Sequence, residues 1–561
     1  WGSKPGESAI YFDGGRIFSM NGYNEQISAI NPFMVKEIRL FKGGYGPEFG
    51  GQIGAIVDIT GIDGKRIRPT VKLNINNQTA NIFASAPLAS GVTVSAAYRQ
   101  TYFGLYSPDV LNPYGKRTSN GKGNSISSVF VTPDYNFKDL NLKISGDLKR
   151  GGRAFISAYG AKDRFSYTLS GSDYNIDARE NNDQIMVSGG VSIVGKKGSI
   201  SGLNATYSGL DAFQEKIISV GRQNYSQIVI SNPVNKITFD VSHKFKYSSL
   251  SELSVGVASE INSISENGAG SRSNIEGIYI DNTLYFKAIT IKTGLRSDYY
   301  DGRFNFQPRI SGVVSAGDKL SFSAAWGIYR QYLGKVKVIY EDVAPVYVWK
   351  LLGENGYPVP ESKQIVAGLS WNAKNFILST EIYNRRNTGI SQVVKTQVSM
   401  NSVIGSADIS GIDLFSKFEM KGSQLFCSLT YSRMSEAYND KKYTYYPAEF
   451  KTGGLVNLSP FTISFDYVYG EGYSDTFGTG KYSSAGNEIY NRFDISSTYT
   501  LKIYKTLFRA GVSILNLFNT ENSKVLEIIP SGTQRPGTVS LLNLYSESIP
   551  FTPTLFLEFS F

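Results

Sequence analysis

At 561 residues the chain exceeds one ordinary globular domain, yet 13% aromatic residues, with Tyr 37, Phe 33 and Gly 57, argue against a string of soluble domains. A mean hydropathy of -0.19 and the lack of any run of about 18 apolar residues exclude a helical membrane protein. One Cys, Cys427, and one His, His243, exclude a disulfide framework and a Cys/His metal cluster, and the formal net charge of +10 comes without a basic run dense enough to favour nucleic acid.

Residues 1 to about 66 carry short apolar runs and clustered glycines. Ile10-Tyr-Phe-Asp13-Gly14 reads as a strand entering a tight turn. The run from Gly43 through Gly46, Gly50 and Gly51 to Gly54 permits positive φ and close backbone approach, as a compact domain wedged in a confined space requires.

From about Thr70 onward the chain breaks into segments of period-two alternation separated by turn residues. In Val92 to Arg99, Val92, Val94, Ala96 and Tyr98 oppose Thr93, Ser95, Ala97 and Arg99. In Lys236 to Tyr247, Ile237, Phe239, Val241, Phe245 and Tyr247 oppose Thr238, Asp240, Ser242, Lys244 and Lys246. In Leu555 to Phe561, the odd-numbered residues form the apolar face. Such alternation suits a barrel with lipid outside and water inside; at roughly 20 to 24 residues per strand and connection, about 20 to 24 strands are expected.

Connections fall into two populations. Short ones are Ala89-Ser-Gly91, Gly195-Lys-Lys-Gly198, Ala316-Gly-Asp-Lys319 and Asn372-Ala-Lys-Asn375; long ones lie near 103 to 127, 330 to 362, 386 to 407, 433 to 450, 470 to 488 and 519 to 550. Short turns belong at the periplasmic end and long loops outside. The Tyr, Gly, Asn and Ser content of the long set suits either a binding surface or plain solvated loops.

His243 and Cys427 both fall on apolar, lipid-type faces, which disfavours a hydrolase built on the single His. Arg99, Lys292, Arg296, Asp413, Lys417 and Glu558 fall on polar faces and are expected to line the lumen.

The segment Ile10 to Gly14, followed by Asn31-Pro-Phe-Met-Val-Lys36-Glu37-Ile-Arg39-Leu-Phe-Lys42-Gly43 and Gly44-Tyr-Gly46-Pro-Glu-Phe-Gly50-Gly51-Gln-Ile-Gly54-Ala-Ile-Val-Asp-Ile59-Thr60, resembles the plug of TonB-dependent outer-membrane transporters. Arg492-Phe-Asp494 to Tyr499 and Val512 to Asn519 resemble that family's late barrel strands, and Ala97-Tyr-Arg99-Gln-Thr-Tyr102 an early strand of relatives common in Bacteroidota. The terminal Phe561 resembles the signal that marks such barrels for insertion. The resemblance implies an all-β membrane protein of about 22 antiparallel strands, residues 67–561, with the C-terminal part of a plug, residues 1–66, in its lumen. A full plug is about twice this length and follows a partner-binding segment, so the chain reads as a mature or partial form.

By resemblance, Asp13, Gly14, Glu37, Arg39, Lys42, Gly43, Gly46, Gly50 and Gly51 form the plug motif, and Glu37 and Arg39 pair with the barrel wall; a solvated strand face is the alternative, open for Lys42 as well. The implied activity is energised uptake of an iron chelate, cobalamin, oligosaccharide or peptide, without catalysis, cofactor or metal. Its partners would be outer-membrane lipid, an inner-membrane TonB-type complex and a possible surface lipoprotein. A plugged barrel serving as an assembly platform is the competing reading; the plug motif argues against a passive porin.

Overall fold

A computed structural model describes residues 2–19, 27–65, 67–105, 130–170, 174–220, 223–340, 345–396, 399–439, 441–471, 489–504, 506–520, 522–535, 538–547 and 549–561. The expected long connections near 103 to 127 and 470 to 488 lie almost wholly outside these residues.

The N-terminal part forms a four-stranded sheet from β1 (Ala9–Phe12), β2 (Gly15–Ile17), β3 (Val35–Phe41) and β4 (Ile56–Gly61), in the order β2-β1-β4-β3. Asp13 (φ 48) and Gly14 (φ 88) make the two-residue turn between β1 and β2; positive φ at both positions is the turn whose twist matches a hairpin. β1 and β4 run parallel, Ala9 beside Ile56 and Phe12 beside Ile59.

Around this sheet closes an antiparallel barrel. Strands Leu320–Arg330 and Glu361–Ala373 pair directly, as do Ile200–Val220 with Val234–Ser248 and Ser423–Tyr438 with Ala448–Leu458. The short elements Gln223–Ser231, Leu333–Tyr340, Val346–Leu351 and Lys441–Tyr445 are therefore additions to a wall of 22 strands. The last strand, Thr552–Ser560, pairs with the first, Thr70–Asn76, so no edge of the wall stays open. Among the described residues no helix is long and apolar enough to cross a membrane.

The alternation read from the sequence sets the two faces. Phe239, Val241, Tyr247, Leu555 and Leu557 are exposed on the outside, whereas Thr93, Ser95, Ala97 and Arg99 are buried inside. The lumen is not uniformly polar: Tyr135, Phe137, Tyr159 and Met186 point inward and pack with Phe12, Ile17, Met34 and Ile59 of the inner domain. A wall facing protein rather than water can carry apolar residues on both faces.

All four short connections named above join strands at one end of the barrel. At the other end, four expected loops contain strand, that near 330 to 362 holding Leu333–Tyr340 and Val346–Leu351. The connection near 386 to 407 is taken up by Phe376–Lys395 and Met400–Met420; that near 519 to 550 holds the hairpin Ser523–Arg535 with Thr538–Glu547; and that near 433 to 450 includes Lys441–Tyr445.

Candidate functional site: the plug, its fastening and the hairpin across the lumen

The inner domain is held chiefly by wall side chains that donate to its backbone carbonyls. Arg309 reaches the carbonyls of Tyr45 (3.3 Å), Gly46 and Phe49 (2.8 Å); Arg296 reaches Pro47 O (3.3 Å), Gln364 reaches Ile53 O (2.7 Å) and Tyr159 reaches Ala29 O (2.7 Å). Arg99 donates to Ser28 O (2.7 Å) while its ion pair with Asp139 fixes the guanidinium. A loop-rich domain has many carbonyls without a sheet partner, and burial would make each costly if unpaired. The wall supplies the missing donors.

This explains much of the glycine pattern. At Gly50 a Cβ would strike the Arg296 guanidinium, which would have to move aside; the bare backbone leaves it room where it lies. Gly46 and Gly51 occupy the same stretch, beside the carboxylates of Glu48 and Glu260 respectively, and Gly43 precedes it, half-buried.

Ionic contacts also cross from the inner domain to the wall: Lys4 with Glu436, Glu7 with Arg385, Asp63 with Arg153, and the two groups centred on Asp13 and Lys42. The Asp13 carboxylate accepts from Lys143 Nζ (2.7 Å) and from Gly61 N (2.9 Å), with both charged side chains almost fully buried. Lys143 also donates to Gly61 O (2.9 Å), and Ser188 Oγ donates to Asp13 O (2.6 Å).

Lys42 Nζ sits 2.7 Å from Glu381 and 2.8 Å from Asp413. Those carboxylates lie directly opposite one another on adjacent wall strands, an unfavourable like-charge pair until a cation bridges it. Burial opposes the ammonium charge, but hydrogen bonds to Asp413 and Glu381 outweigh it and hold Lys42 above the usual lysine value.

The wall pairing expected for Glu37 and Arg39 is not formed. Arg39 pairs with Asp58 on the adjacent plug strand, and Glu37 is exposed with no hydrogen bond or ion pair among the described residues. The reason is topological: β3 is an edge of the plug sheet with its face turned from the wall, leaving Ile38 and Leu40 exposed too.

The residues expected in the lumen are all there, in two groups. Arg99, Arg296 and Asp413 contact the plug; Lys292 pairs with Asp281, Lys417 with Glu419 and Glu558 with Arg509, all within the wall. Outside, His243 is exposed and shares a hydrogen bond with Ser201 (2.9 Å), and Cys427 is half-buried.

Reading the stretch 330 to 362 as a loop missed its main feature. Leu333–Tyr340 and Val346–Leu351 form a hairpin whose first strand runs parallel to Phe376–Lys395, Val338 beside Val393. Because the wall strands on either side pair with each other, the hairpin turns into the lumen. Val336, Val338 and Val348 pack with Leu169, Ile176 and Ile218 from distant wall strands and with Ile228 and Ile230 of the added strand Gln223–Ser231. Trp349 meets Phe18 of the plug edge-on at 5.2 Å, and its backbone N–H donates to Asn232 (2.7 Å). Gln331 donates to Gly6 O (2.6 Å). Burial pushes Lys335 and Lys337 on this hairpin below the usual lysine value. The signal was present in the alternation Lys335-Val-Lys337-Val and Val346-Tyr-Val348-Trp.

No protein-family model and no curated protein sequence matches the chain. Solved structures do. The FrpB iron transporter of Neisseria meningitidis (F3-3 variant) aligns with a TM-score of 0.66 at 12% identity, over 99% of this chain and 91% of that one. The siderophore receptor PirA of Pseudomonas aeruginosa gives 0.63 at 12% over the same shares. A mutant of the ferric enterobactin receptor PfeA of Pseudomonas aeruginosa, with enterobactin, gives 0.69 at 11%, also over 99% and 91%. These neighbours are TonB-dependent outer-membrane receptors. The chain has their fold, a 22-stranded barrel closed around a small inner sheet domain.

Proposed function

We propose that this chain is an outer-membrane transporter that takes up a large nutrient, with residues 1–66 acting as plug and 67–561 as barrel. The observation that carries the reading is the way the lumen is closed. A barrel of this size would otherwise leave an open channel, and here a separate domain fills it, fastened by many individually modest hydrogen bonds. Such a fastening holds at rest and yields in steps to a pulling force. The force would come from a TonB-type inner-membrane complex. The neighbours are an iron transporter, a siderophore receptor and a ferric enterobactin receptor, which makes a ferric chelate the first substrate class to test.

The test is uptake of labelled ferric chelates, cobalamin, oligosaccharides and peptides by cells with and without the energy-transducing partner. Uptake of one class that vanishes without the partner is expected. No uptake of any class, with an assembly defect on deleting the gene, would replace this reading by that of a plugged platform for lipoproteins or an insertion machine.

A further inference from the structure

The face of the hairpin Leu333–Leu351 that meets the plug carries positive charge that the fastening of the plug does not use. Lys335 lies opposite Trp349 and Lys337 opposite Tyr347. These four side chains share one face, since alternation puts Val336, Val338 and Val348 on the other. Trp349 touches Phe18 of the plug, which fixes the lysine face toward it.

Between this face, the plug segment from Lys4 to Glu7 and the wall strand Phe376–Lys395 lies a cavity of about 40 Å³, lined among others by Lys4, Glu7, Lys335, Lys337, Tyr347 and Ser391. That volume holds about three waters or one small oxyanion, far less than a chelate or a peptide.

The acceptors around the cavity are committed. Glu7, the one carboxylate on its described lining, accepts from Arg385 (3.0 Å) and from the Lys4 backbone N–H (3.2 Å). Lys4 Nζ donates to Glu436 (2.7 Å) and to the Tyr438 hydroxyl (2.7 Å).

The donors are not committed. Lys335 and Lys337 are half-buried and make no hydrogen bond or ion pair among the described residues; the Lys335 ammonium has the Trp349 ring, 5.3 Å from its centre. Ser391 Oγ is buried without a partner. Burial and the Lys4 ammonium push Lys337 below the usual lysine value, and burial and Arg16 do the same to Lys335. A water would satisfy the Ser391 hydroxyl but would leave the ammonium groups facing one another. An anion satisfies both demands, and hydrogen bonds to a charged acceptor are the stronger kind.

We infer that this cavity binds a small inorganic oxyanion of the phosphate class, held by Lys337 and Ser391 with Lys335 and Lys4 balancing its charge, and that the ion pins the hairpin to the plug. The inference rests on where the hairpin lies and not on transport.

The test uses the full chain in detergent and in buffer free of phosphate and sulfate, as wild type, Lys337→Met, Ser391→Ala and Lys395→Met, each first shown to keep the heat-modifiable mobility of a closed barrel. Lys395 is exposed and outside the cavity lining, so its loss controls for charge alone. Equilibrium dialysis with radiolabelled inorganic phosphate measures binding. Protease cleavage within residues 333–351 measures attachment of the hairpin, with sodium chloride at matched ionic strength as the reference. Wild type and Lys395→Met should bind a single phosphate and gain protection that chloride does not give. Lys337→Met should weaken binding at least about tenfold and lose the protection, and Ser391→Ala should weaken binding about threefold. No saturable binding by the wild type, equal binding by Lys337→Met, or equal protection by chloride would overturn the inference.

Discussion

At the scale of single residues, the plug's fastening separates charges that matter from charges that only alternate. Lys143 and Asp13 are buried together at 2.7 Å, so Lys143→Met leaves an uncompensated carboxylate and should weaken plug attachment by about 3 to 5 kcal/mol. Protease cleavage within residues 1–66 of the folded protein measures this and should become faster at lower denaturant. Lys42→Met should act in the same direction more weakly, since Lys42 is 39% exposed, and should raise single-channel conductance by leaving Glu381 facing Asp413. Glu37→Ala should change neither readout; a conductance rise there would restore the wall-pairing role that the geometry denies it. The motif Asp13-Gly14 and the glycine run could be read from sequence because φ and close approach are local demands. The identity of the wall donors Arg309, Arg296 and Gln364 could not, because each meets its carbonyl across some 250 residues or more of chain.

At the scale of elements, the hairpin Leu333–Leu351 stands between the long-loop end and the plug. If substrate passes it, locking it must stop uptake. Cysteines at Val338 and Val393, neighbours in parallel register, should abolish uptake when oxidised and restore it on reduction, while either single cysteine leaves uptake intact. The hairpin also carries a pH signature. Burial lowers Lys335 and Lys337, so between their folded values and about 10.4 the unfolded hairpin binds more protons. Hairpin stability therefore rises as pH rises through that window. Protease resistance of the hairpin should increase from neutral pH toward pH 10, and Lys335→Met should raise it at neutral pH and flatten the dependence. Wall strands were readable because one lipid face enforces period two. The hairpin has the same period, but whether its strands join the wall or turn inward depends on whether Leu320–Arg330 and Glu361–Ala373 pair behind it, which is not a local property.

At the scale of the whole molecule, closure is the dominant constraint. Every backbone group at membrane depth needs a partner within the protein, and each left unpaired costs several kcal/mol. Deleting Thr552–Phe561 would unpair Thr506–Leu515 and Thr70–Asn76 together. That truncation should fail to reach the compact, heat-modifiable form on electrophoresis, whereas truncation within the hairpin Ser523–Arg535 and Thr538–Glu547, which lies off the wall, should not prevent closure.

The sequence by itself determined the strand alternation, the approximate strand number, the sorting of short and long connections and the glycine-rich plug segment, because each follows from a periodicity or a turn within a few residues. Only the tertiary structure decided which wall side chains hold the plug, that Lys42 rather than Glu37 or Arg39 reaches the wall, and that a hairpin crosses the lumen. Those are contacts between residues far apart in sequence, and closure of the barrel is what brings them together.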